Sequence, residues 1–266
     1  MERLFDSSNQ QTQPEQETRY EFFDYKGERE ELFKYSKAIA EYLRKESIPN
    51  LVIVDRSSRP LYIGVRMYLR EKYPDEKMPN IYFMNPKGFK AREKLTNDDI
   101  EEIIADCEWK GDAEEAPNQV RTIEEIMQEF EEAYRYLMQD KDKPVLVFDT
   151  CIHTGGSLEP VKDAFDNSGF SDVRIGAVNP SEHGARVKTD FFITTRRPEK
   201  GCYPFDRDRM IEKTFDNVYS KRSEDARKRN SAIRLRQEIK RIMGDFLEKD
   251  RNVISRGRSS TGEMTR

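Results

Sequence analysis

Lys143-Pro144-Val145-Leu146-Val147-Phe148-Asp149-Thr150-Cys151-Ile152-His153-Thr154-Gly155-Gly156-Ser157-Leu158 sets an apolar run, an acid and a small glycine loop in that order. The apolar run from Val145 to Phe148, bounded by Pro144 and Asp149, predicts a strand buried on both faces of a parallel sheet. Thr154-Gly155-Gly156-Ser157 lets backbone approach an anion with no Cβ in the way. The N–H groups opening the helix expected after it would face that anion. The segment therefore predicts a phosphate cradle beyond the carboxyl end of a strand. Asp149 cannot take phosphate itself, but a carboxylate accepts hydrogen bonds from sugar hydroxyls or holds a hydrated Mg²⁺.

Working outward, the neighbours repeat the strand, loop, helix order. Leu32, Tyr35, Ile39, Tyr42 and Leu43 recur at helical spacing, and Ile48-Pro49-Asn50 ends that helix before the strand Leu51 to Val54. A polar loop, Asp55-Arg56-Ser57-Ser58-Arg59-Pro60, leads into a helix holding Ile63, Met67, Tyr68 and Leu69, then the strand Ile81 to Met84. Such alternation predicts an α/β fold, a Rossmann-like parallel sheet flanked by helices with right-handed crossovers. Two readings of the loop stand. Arg56 and Arg59 fork onto phosphate oxygens, or they are solvated while Ser57 or Ser58 caps the next helix. One βα unit ahead of the cradle, the loop would meet it at the carboxyl edge of the sheet, where α/β folds bind ligands.

Downstream, Glu159 to Ser168 predicts a helix closed by Gly169, and Val173 to Val178 the next strand. Thr189 to Thr195 predicts another strand, carrying Phe191 and Phe192, of which the two-residue period sends only one toward a site. Between Asn85 and Pro144 lies a helical insertion spanning about 87–140, with an acidic helix from Asp98 to Cys107. A second helix from Thr122 carries the stripe Ile123, Ile126, Phe130, Ala133, Tyr134 and Leu137.

The segment around Asp149 resembles the phosphoribosyl pyrophosphate (PRPP) signature of type I phosphoribosyltransferases, in which a hydrophobic strand and acids precede Thr-Gly-Gly-Ser/Thr. One position departs from that pattern: Thr150 stands where a second acid is usual. The resemblance implies that Thr154, Gly155, Gly156 and Ser157 hold the 5-phosphate, and that Asp149 and Thr150 hold the ribose. It implies that Arg56, Ser57, Ser58 and Arg59 cup the pyrophosphate, that Phe191 or Phe192 flanks the base, and that Asp149 acts indirectly on Mg²⁺. His153 takes the variable position before the cradle, where it either moves the base's proton or is a plain loop histidine. The implied activity is Mg²⁺-dependent transfer of phosphoribose from PRPP to a nucleobase, or the reverse. That would make the protein a pentosyltransferase of nucleotide metabolism or nucleoside salvage.

Composition bounds the rest. Of 266 residues, 37% are charged and 35% hydrophobic, so the core must be compact. Cys107, Cys151 and Cys202 form no Cys-x-x-Cys pair, which fits a reducing compartment and argues against structural zinc. No apolar run has the length of a membrane span, so a cytoplasmic protein without a membrane partner is expected. Three regions are predicted: a disordered segment 1–19, a phosphoribosyltransferase-like domain 20–220, and a basic tail 221–266, helical and then disordered.

That tail holds 14 Lys/Arg against 7 Asp/Glu, so a chain of net charge −4 divides into a tail of +7 and a remainder of −11. Ala232, Leu235, Ile239, Ile242 and Phe246 predict an amphipathic helix from Glu224 to Asp250, docking on the domain or on a second subunit of a homodimer. An alternative function of another class also fits: a catalytically weak PRPP- or nucleotide-sensing regulator that binds nucleic acid through this tail.

Overall fold

The computed structural model describes residues 20–23, 25–54, 58–89, 122–152, 158–180, 187–194, 211–212, 221–222 and 226–259. They build a three-layer α/β body. Helix α1 (Lys26–Lys45) precedes strand β1 (Asn50–Val54), helix α2 (Arg59–Lys72) and strand β2 (Asn80–Met84). After the insertion come helix α3 (Ile123–Ala133), strand β3 (Val145–Ile152), helix α4 (Glu159–Asn167), strand β4 (Val173–Pro180) and the short strand β5 (Phe191–Phe192). The five strands form one parallel sheet in the order β2-β1-β3-β4-β5. A separate antiparallel pair joins β6 (Ile211–Glu212) to β7 (Lys221–Arg222), and the long helix α5 (Ala226–Ser259) follows.

The apolar runs of β1 and β3 are unbroken because both faces are covered. Leu51, Ile53, Leu146 and Phe148 join the cluster under α1, α2 and α5, while Val52, Val54, Val145 and Val147 join the one under α3 and α4. Helix α3 starts on a capping box: the Glu125 N–H donates to Thr122 Oγ1 at 3.2 Å and the Thr122 N–H to Glu125 Oε2 at 2.8 Å. The expected stripe buries Ile126 and Phe130 within α3 and Tyr134 and Leu137 just past its end. Tyr134 OH then donates to the Phe83 carbonyl at 2.7 Å, tying the insertion to β2. The acidic helix expected at Asp98 to Cys107 lies outside the described residues. Gly169, at φ 80°, closes α4 as expected.

The strand expected from Thr189 to Thr195 pairs over Phe191 and Phe192 only, opposite Gly176 and Ala177 of β4. Flanking backbone bonds from Asp190, Ile193 and Thr194 extend its hold on β4.

The helix of the basic segment, expected to dock on the domain or on a second subunit, packs on the body. Ala232, Leu235, Ile239, Ile242, Met243 and Leu247 are buried in the same cluster as α1 and α2. At about 2 kcal/mol gross for each large side chain, that stripe contributes on the order of 10 kcal/mol before ordering costs. Contact is close enough that a Cβ on Gly64 of α2 would run into Ser36 of α1 and come within 3.2 Å of Met243 Sδ. Glu238 completes the dock, its buried carboxylate accepting the N–H groups of Glu21, Phe22 and Phe23 at 2.8 to 2.9 Å. The helix also runs past Asp250 to Ser259, with Asp250 paired to Lys72 and Lys37 and Arg251 to Glu71. The docking partner of the stripe is thus the chain's own domain.

Candidate functional site

Every strand of the parallel sheet points its carboxyl end at one edge, and polar side chains collect there. Ser58 opens α2 after β1, Asn85 follows β2, Asp149 and Thr150 lie near the end of β3, and Asn179 near the end of β4. Ser58, Asn85, Thr150 and Asn179 are all buried, whereas the strand bodies behind them are apolar. Asn179 donates through Nδ2 to the Thr194 carbonyl at 3.3 Å, so even the short strand β5 is tied into this edge.

At its centre Asp149 Oδ1 accepts the Ser58 hydroxyl at 3.2 Å and the Thr150 N–H at 2.7 Å. The loop after β1 and the acid of β3, 91 residues apart in sequence, therefore converge at the predicted edge. A carboxylate accepts hydrogen bonds, which is the chemistry a sugar hydroxyl requires of its partner. Thr150 differs from its neighbour, being only 3% exposed. Its hydroxyl therefore has little exposed surface.

Arg59 is the first residue of α2, and its guanidinium lies 3.9 Å above the Phe83 ring of β2. Stacking occupies the face of the guanidinium and leaves its N–H donors in the plane. Arg56, Ser57, His153, Thr154, Gly155, Gly156 and Ser157 lie outside the described residues.

The two phenylalanines of β5 have separate roles. Phe191 is not available to a base: its ring stacks on Tyr42 of α1 at 4.1 Å and 12°, with Phe148 behind it at 6.4 Å. Phe192 is 50% exposed and in register with Ala177 of β4, itself in register with Asp149. Strand alternation puts it on the face opposite Phe191, which leaves Phe192 as the ring on Asp149's side of the sheet.

The sequence reading passed over Asn85 and Asn179. The signal available was an amide directly after an apolar run in each strand. A cavity of about 380 Å³ lies at the opposite edge, lined by Leu43, Ile48, Leu69, Tyr73, Met78 and Asp140 among others. Four of its charges are already matched in two pairs, Arg44 with Glu76 at 3.0 Å and Lys143 with Asp140 at 2.5 Å. It lacks the meeting of Ser58 with Asp149 that marks the carboxyl edge.

Among the described residues no helix is long and apolar enough to cross a membrane. No protein-family model and no curated protein matches the chain. Among solved structures it is similar to a purine phosphoribosyltransferase of Pyrococcus horikoshii, at 13% identity and TM-score 0.33, over 60% of this chain and 78% of that one. It is also similar to a hypoxanthine phosphoribosyltransferase of Staphylococcus aureus, at 13% identity and TM-score 0.38, over 65% of this chain and 76% of that one. A third is the Trypanosoma cruzi hypoxanthine phosphoribosyltransferase in complex with IMP, at 13% identity and TM-score 0.34, over 63% of this chain and 74% of that one.

Proposed function

We propose that the protein is a phosphoribosyltransferase that moves phosphoribose between PRPP and a nucleobase at the carboxyl edge of its sheet. The observation that carries this reading is the hydrogen bond from Ser58 to Asp149, which joins the candidate pyrophosphate loop to the candidate ribose acid. Thr154, Gly155, Gly156 and Ser157 bind the 5-phosphate, Arg56, Ser57, Ser58 and Arg59 the pyrophosphate, and Asp149 the ribose hydroxyls. Phe192 flanks the base. Among the described residues no three His, Cys, Asp or Glu side chains gather into a metal cage. Asp149 would hold a hydrated Mg²⁺ indirectly. The ion would supply charge neutralisation for the leaving pyrophosphate.

In transfer, the bond from C1 to the pyrophosphate oxygen breaks, a base nitrogen bonds to C1, and the base's proton passes to His153. Positioning and electrostatics supply most of the acceleration, since no protein nucleophile is required. Thr150 favours a second reading in which PRPP is held and not turned over, because a buried hydroxyl brings no charge where a second carboxylate would.

The test is pyrophosphate release across uracil, hypoxanthine, guanine, xanthine, adenine and orotate, run beside PRPP calorimetry with Mg²⁺. Turnover on one base is expected. Tight PRPP binding without turnover selects the second reading, and no PRPP binding removes both. Gly155→Val is expected to abolish PRPP binding in a folded protein, and normal affinity there would contradict the cradle.

A further inference from the structure

Docking of α5 on the body sorts its charges. From Ala226 to Gly244 the helix carries Arg227, Lys228, Arg229, Arg234, Arg236, Lys240 and Arg241 but a single acid, Glu238. That acid is 5% exposed and turned inward onto the N–H groups of Glu21 to Phe23. Arg234, Arg236, Lys240 and Arg241 are exposed. Arg234 meets Glu21 across an exposed contact of 3.2 Å, an arrangement worth little. Among the described residues Arg236 and Lys240 have no ion-pair partner. They lie four positions apart and so neighbour each other on the helix surface. At Gly244 the ridge is open, with nothing within 4 Å of where a Cβ would stand.

We propose that the outward face of this first half of α5 binds the phosphate backbone of duplex DNA. Charge complementarity selects a polyanion, since Arg234, Arg236, Lys240 and Arg241 present four exposed cations on a stretch whose one acid is turned inward. Three further observations select which one. The apolar stripe of α5 is already buried and Ile233 is its one large exposed apolar residue among those described, so an anionic membrane has no face to embed. No aromatic residue lies between Ala226 and Gly244, and the neighbouring Tyr20 ring is already engaged by Arg29 at 4.4 Å and Arg241 at 5.7 Å, so unpaired bases find no stacking platform. A convex helical ridge suits the wide groove and flanking phosphates of B-form DNA better than the deep, narrow groove of A-form RNA. Contacts of this kind fix position on the duplex without reading its sequence.

The inference does not depend on PRPP chemistry, and one set of variants separates the two. Fluorescence anisotropy of the full chain on a labelled mixed-sequence DNA duplex is expected to show binding that weakens steeply between about 50 and 200 mM salt. The double variant Arg236→Glu/Lys240→Glu is expected to lose at least tenfold in affinity and to flatten the log–log salt slope by about 2, with PRPP calorimetry and melting temperature unchanged. Lys249→Glu, on the same helix beyond Gly244, should stay within about twofold of the parent. Full affinity in the double variant overturns the proposal, as does absence of binding at the lowest salt. Equal or tighter binding to single-stranded DNA, to duplex RNA or to phosphatidylserine vesicles overturns it as well. If the double variant instead dissolves a dimer in light scattering while DNA affinity is unchanged, the face belongs to a second copy and the proposal fails.

Discussion

The two edges of the sheet carry similar residue types put to different uses. At the amino edge Asn80 donates to Asn50 at 3.0 Å, Asn50 donates to Asp140 at 3.3 Å, and Lys143 closes the chain on Asp140. At the carboxyl edge Asp149 is held by the Ser58 hydroxyl and a backbone N–H. The first arrangement neutralises its carboxylate with an ammonium and ties β1 to β2. The second presents a carboxylate at the end of a strand, against a loop and helix start. A cavity of about 380 Å³ lies at the amino edge, and the buried polar groups gather at the carboxyl edge. The chemistry is the better guide, because a ligand needs groups that its binding can engage.

The comparison breaks first at its acids. Asp149→Ala is expected to remove hydrogen bonds from ligand hydroxyls worth about 3 kcal/mol, on the order of a 100-fold loss of PRPP affinity by calorimetry. Asp140→Ala should leave that affinity unchanged, and an equal loss in both variants would erase the distinction between the edges. Thr150→Asp comes next: with its side chain buried, a second carboxylate is expected to lower stability by about 3 kcal/mol in urea unfolding. Unchanged stability with tighter PRPP binding would show that Thr150 faces the ligand after all.

A smaller effect divides the phenylalanines. Phe191→Ala should cost about 2 kcal/mol of stability through its stack on Tyr42, whereas Phe192→Ala should leave unfolding unchanged and weaken base binding roughly tenfold. The smallest effect is in acid. The hydrogen bond from Lys143 holds the Asp140 carboxyl below its ordinary value of 3.8. Its contribution to stability is therefore present above 3.8 and lost as pH falls through the depressed value. Asp140→Asn should flatten stability against pH in that range, and an identical acid profile would remove Asp140 from the account.

Much of the fold was legible in the chain because its signals are local. Apolar runs buried on both faces gave β1 to within a residue and the start of β3, which runs four residues past Phe148 to Ile152; Thr122 marked the start of α3, and Gly169 closed α4. β5 is shorter than its sequence predicts, since the run Phe191-Phe192-Ile193 favours a strand but pairs with β4 over only two positions. Asn85 and Asn179 escaped notice because an isolated amide after a strand is ordinary until several of them meet at one edge.

From the sequence alone come the order of strands and helices, the acid and glycine loop after β3, and the charge imbalance of residues 221–266. Each depends on residues near one another in the chain, through period, turn chemistry and composition. Only the tertiary structure decided that Ser58 reaches Asp149, that Phe191 joins the core while Phe192 stays exposed, and that Glu238 turns inward and leaves α5 a cationic ridge. Those outcomes depend on packing between segments far apart in sequence. A contact such as Glu238 to Phe23, across 215 residues, exists only once the helices have closed on the sheet.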